Sequence, residues 1–147
     1  MKRILIVEDN SRHMEDALKI LKNIDVEIVT ATNAKEATEK LGNMKFDGVI
    51  TDVFMPMVGE ENADNPCGLA VAMMAFTIGV KCVLCTDQYH HSEGFEDINA
   101  LFNSFRKPLD CMWGTRIIDC SHKESKKNWL GAYEHLFDLE DKGGMSF

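Results

Sequence analysis

The segment RILIV at residues 3–7 is an almost continuous apolar run, and it constrains the fold more than anything else in the chain. Successive side chains of a strand point to opposite faces, so a strand apolar at every position must be covered on both. Short runs of the same kind recur at Val26 to Ala31, Gly48 to Asp52 and Lys81 to Thr86. Helical patterns lie between them. Met14, Ala17, Leu18 and Leu21 share a face within Ser11 to Asn23, with Asn10 or Ser11 as N-cap. Asn33 caps a helix carrying Ala34, Ala37 and Leu41 to a stop at Gly42, and Leu69 to Ile78 is a helix ended by Gly79. Phe95 to Phe102 reads as a further helix and Ser104 to Lys107 as a short fifth strand. Strand–helix alternation implies parallel pairing and right-handed crossovers. The expected fold is α/β, a doubly wound five-stranded parallel sheet with helices on both faces.

The chain has 147 residues, enough for one domain with a continuous core. A formal net charge of −8 argues against a nucleic-acid surface, which needs clustered Lys and Arg. The start, MKRILIVEDN, has neither the apolar core of a signal peptide nor the roughly 20 apolar residues of a membrane span. Five cysteines, an odd number lying mostly in apolar segments, fit a reducing cytoplasm.

Ligands of such sheets bind beyond the carboxyl ends of the strands, near the point where strand order reverses. The first strand ends in Glu8-Asp9, the third in Asp52, the fourth in Thr86 and the fifth in Lys107. Crowded carboxylates repel by roughly 4 kcal/mol per pair at 4 Å and an effective dielectric of 20, so the crowding needs a cation or a functional demand to offset it. Magnesium takes hard oxygen ligands and suits the set. Asp9 and Asp52 fit as direct ligands, Glu8 as a ligand through water and the Phe54 backbone carbonyl as a further one. A carboxylate can also attack a phosphoryl group, with Lys107 and Thr86 as donors to the developing charge.

ILIVEDN, then ITDVFMPMVG, then VLCT and FRKP resemble the response-regulator receiver family of two-component signalling, in order, over roughly residues 2 to 109. The resemblance implies a flavodoxin-like sheet of order 2-1-3-4-5 and one receiver domain spanning 1–147. It makes Asp52 the phospho-acceptor, gives Mg2+ to Glu8 and Asp9, makes Thr86 the switch hydroxyl and puts Lys107 on the phosphoryl group. The activity implied is uptake of a phosphoryl group from a sensor histidine kinase or phosphotransfer protein, followed by slow hydrolysis. Such a chain is not a dedicated enzyme. Its output runs through contact with a downstream protein that the sequence does not identify, with no nucleic acid or membrane involved.

The chain departs from that pattern in four places. An acidic insertion near 59–68 either covers the site or extends into solvent. Asp87 stands where the family carries a small residue, and Ser104 where it tends to carry an aromatic. The segment 109–147 is atypical: 111–122 reads as an inserted loop or extra strand, and Arg116 to Cys120 as a short strand or an early helix turn. Lys126 to Leu139 then closes the fold as a helix, with Trp129, Leu130, Tyr133, Leu136 and Phe137 on one stripe. These departures sustain a second reading, a pseudo-receiver that docks proteins without phosphorylation. Cys82 and Cys85 have redox spacing but read as buried small side chains, and His90-His91 as solvated loop residues.

Overall fold

The computed structural model describes residues 1–59, 65–86, 116–119 and 127–141, with backbone alone at 86, 116–119 and 138–141. The strands are β1 (Lys2–Val7), β2 (Val26–Ala31), β3 (Gly48–Thr51), β4 (Lys81–Thr86) and β5 (Arg116–Asp119). They form a five-stranded sheet of order β2-β1-β3-β4-β5. Every neighbouring pair is parallel. The helices are α1 (Ser11–Leu21), α2 (Ala34–Asn43), α3 (Gly68–Ile78) and α4 (Trp129–Asp141). Among the described residues, no helix is long and apolar enough to cross a membrane.

The central strands divide their side chains between two layers, as their unbroken apolar character requires. Leu5, Val7, Val49, Cys82 and Leu84 face one buried cluster, completed by Ala34, Ala37 and Leu41 of α2 and Val71, Ala72 and Ala75 of α3. Ile4, Ile6, Ile50, Val83 and Cys85 face the other, completed by Ala17 and Leu21 of α1 and Trp129, Ala132 and Leu136 of α4. Helices therefore cover both faces, in the flavodoxin-like arrangement.

Local chemistry sets the helix ends. The Asn10 side chain accepts from the amides of Arg12 and His13, and the Asn33 side chain accepts from Glu36 at 2.8 Å. Gly79 closes α3 at φ +81°, donating to Ala75 and Phe76 carbonyls.

The fifth strand is a correction. The edge beside β4 is Arg116–Asp119, with Val83 paired to Arg116 and Thr86 to Asp119, rather than Ser104 to Lys107. The β-branched pair Ile117-Ile118 suits a strand, whereas 104–107 offers one phenylalanine among Ser, Arg and Lys. The expected helix at 95–102 and the segment 104–107 lie outside the described residues.

One contact makes a sharp demand on sequence. A Cβ on Gly48 would stand 2.4 Å from Cδ2 of the fully buried Leu136, so α4 reaches β3 only across a glycine. Gly48→Val is expected to destabilise by about 1–3 kcal/mol through overpacking. Urea unfolding checks it, and pairing the change with Leu136→Ala should recover part of that loss.

Candidate functional site

Register builds the site. Val7 of β1 lies opposite Thr51 of β3, so the residues that follow, Glu8 and Asp52, leave the sheet side by side. The Asp52 amide donates to the Val7 carbonyl at 3.0 Å and the Glu8 amide to that of Ala31 at 3.0 Å, which carries the ladder one step past each strand end. A ligand oxygen from each of Glu8, Asp9 and Asp52 lies within 4.8 Å of the other two. Glu8 is 1% exposed and Asp52 6%, so two of these acids are nearly out of water.

The described cation among them is Lys127, two residues before α4. Its ammonium is hydrogen-bonded to Glu8 Oε1 and lies 3.0 Å from Asp52 Oδ2. Lys127 is 4% exposed, and its Nζ stands 5.5 Å from the centroid of the buried Trp129 ring, a cation–π distance. Among the described residues, the buried Trp129 indole nitrogen has no hydrogen-bond partner. The second oxygens of Glu8 and Asp52 are engaged as well. Asp52 Oδ1 accepts from the Val53 amide at 2.7 Å, and Glu8 Oε2 from that of Asn10 at 3.1 Å.

Burial pushes the Glu8 carboxyl up to about 8, aided by the charge of Asp52 and against the pull of Lys127. For Lys127, burial would lower the ammonium, but Asp52 and Glu8 more than offset that and hold it above its ordinary value. The site thus retains positive charge firmly and negative charge reluctantly.

Once Glu8 gives up its proton, three carboxylates against one ammonium leave two formal negative charges, the complement of a divalent cation. All donors are hard oxygens. An octahedral magnesium with ligands at about 2.1 Å would space them about 3–4 Å apart, which the cluster reaches with little contraction. The donor set fits the ion.

Of the residues singled out from sequence, Glu8, Asp9 and Asp52 are brought together. Phe54 follows Asp52 by two positions, its ring packed against the cluster beside α2 and α3. Thr86 ends β4, with its backbone alone described. Lys107, Asp87, Ser104, His90 and His91 lie outside the described residues. Lys127 was missed. The available signal was the pair Lys126-Lys127 just before the apolar stripe of the closing helix, read there only as helix.

No family model matches the chain. Over 59 residues, 40% of the chain, it is 37% identical to a response regulator receiver protein of Anaeromyxobacter sp. (strain Fw109-5). That match spans a quarter of the relative's length. Solved structures match over nearly the whole chain. The response regulator TrrA of Thermotoga maritima, in complex with Mg2+–BeF, is 24% identical with a TM-score of 0.62, covering 95% of this chain and 99% of that one. A CheY-like response regulator receiver domain of Methanospirillum hungatei JF-1 is 20% identical at TM-score 0.61, covering 97% and 99%. The signal receiver domain of a signal transduction histidine kinase from Syntrophus aciditrophicus is 19% identical at TM-score 0.64, covering 100% and 96%. The chain has the flavodoxin-like fold that these receiver domains share.

Proposed function

We propose that the chain is a phosphorelay receiver in which Asp52 accepts a phosphoryl group from the phosphohistidine of a sensor kinase or phosphotransfer protein. The single observation behind this is the meeting of Asp52 with Glu8, Asp9 and the Lys127 ammonium in one nearly dry cluster. In the transfer, an Asp52 carboxylate oxygen bonds to phosphorus as the donor P–N bond breaks, and the electron pair stays on the imidazole nitrogen. Lys127 would hold Asp52 and then, beside the Lys107 of the sequence reading, the charge on the phosphoryl oxygens. Thr86, at the end of β4, is the further donor.

Glu8, Asp9, Asp52 and the Phe54 carbonyl would hold magnesium, which would neutralise charge between the acceptor and the incoming group. The Mg2+–BeF complex of the Thermotoga protein supports this reading by analogy. The chain is read as one receiver domain working in the cytoplasm, its output passing by contact to another protein. The new phosphate contacts would bias a pre-existing conformational equilibrium.

Incubation with acetyl phosphate and magnesium is expected to add one phosphate-sized mass to the wild type and none to Asp52→Asn. A folded wild type that gains no mass would replace this reading with a phosphorylation-independent docking module. The near-complete burial of Asp52 favours that second reading.

A further inference from the structure

The end of the acidic insertion pairs with the segment that follows β3. Met55 and Pro66 form an isolated parallel bridge. The Met55 amide donates to the Asn65 carbonyl at 3.0 Å, and the Gly68 amide to that of Val53 at 2.9 Å. On the other flank, Ala34 and Lys35 at the start of α2 donate to Pro56 at 3.1 Å and Met57 at 2.9 Å. The five residues after Asp52 are therefore held from both sides.

The bond to Asn65 matters because the peptide unit is planar and trans. The Phe54 carbonyl and the Met55 N–H share one plane and point in opposite directions. Fixing the N–H on Asn65 consequently fixes the carbonyl on the far side from the insertion. Gly68 brings the two segments close enough for this. A Cβ there would stand 1.7 Å from the Asp52 carbonyl oxygen and 2.9 Å from Val53 Cα, so any side chain would force the segments apart.

We propose that Asn65–Gly68 is a clamp that orients the Phe54 carbonyl toward a bound divalent cation, so that the insertion tunes the metal affinity of the site. This rests on the metal site assigned above. Asn65 and Gly68 are positioning residues and touch neither the ion nor a phosphoryl group.

Hydrogen exchange and calorimetry test it on the intact chain. Magnesium is expected to slow exchange of the Met55 and Gly68 amides about 10-fold, and to leave Val80, bonded to Ala75 at 2.8 Å, unchanged. Gly68→Ala is expected to weaken magnesium binding about 10-fold or more, the usual effect of losing a ligand's support. Gly42→Ala is the control and should bind as the wild type does, because its Cβ would come no nearer than 3.7 Å to Met74. A folded Gly68→Ala protein with wild-type affinity overturns the clamp. If that variant does not fold, unchanged Met55 and Gly68 exchange at saturating magnesium overturns it instead. A wild type that gives no binding heat removes the metal site itself, and the clamp with it.

Discussion

Lys127→Met is expected to abolish phosphoryl uptake at Asp52 and, in metal-free buffer near pH 8, to cost about 3 kcal/mol or more of folding stability. Methionine keeps most of the volume and removes the charge, leaving Glu8 and Asp52 buried beside each other without their ammonium. Removing one member of a buried ion pair typically costs about 3–5 kcal/mol, because the other charge stays out of water. The loss should shrink at low pH, where Glu8 can carry a proton, and saturating magnesium should restore part of it. Cation–π contact with Trp129 would be lost too, a smaller contribution of about 0.5–2 kcal/mol. Lys107→Met, at the lysine that the sequence resemblance puts on the phosphoryl group, shows whether that contact is shared. Urea unfolding and the acetyl phosphate mass assay read both effects. Uptake that survives Lys127→Met and is lost in Lys107→Met would leave the phosphoryl contact to Lys107 alone.

The burial of Lys127 marks where sequence reading stops. The strands that a both-sided core demands were legible, since Leu5 and Val7 on one face and Ile4 and Ile6 on the other each need a cover. The acids were legible because they follow those strands directly. Lys127 was not, because what buries it is spatial: its ammonium meets Glu8 across 119 positions of chain. A lysine ahead of an amphipathic helix ordinarily reads as solvated. The fifth strand was legible only in part, since 116–120 was left between a short strand and an early helix turn. The Lys107-Pro108 pair drew attention to 104–107, while β5 at Arg116–Asp119 has only two apolar residues to announce it. The insertion was left between covering the site and extending into solvent. Residues 60–64 lie outside the described residues, and the returning limb pairs by backbone bonds that no side-chain pattern encodes. Even Gly68, which that approach requires, looks from sequence like an ordinary helix start.

The second large effect is on pH. Glu8 has its carboxyl pushed up to about 8 by burial, against an ordinary value of 4.5. Between those values the folded protein holds a proton that the unfolded chain has released, so folding takes one up. Glu8's contribution is therefore fully present below pH 4.5 and is lost as pH rises through about 8. Metal-free wild type should lose stability across that window, with a slope of at most about 1.4 kcal/mol per pH unit. Glu8→Gln, which has no proton to lose, should flatten the curve. Magnesium inverts the dependence. It takes the place of the proton, so its apparent affinity should climb by up to about tenfold per pH unit until near 8 and then level. Calorimetric titrations in buffers of different ionisation heat would show the released proton directly. A magnesium affinity independent of pH between 5 and 8, with no proton released, would mean that Glu8 is already ionised in the free protein, with Lys127 outweighing its burial.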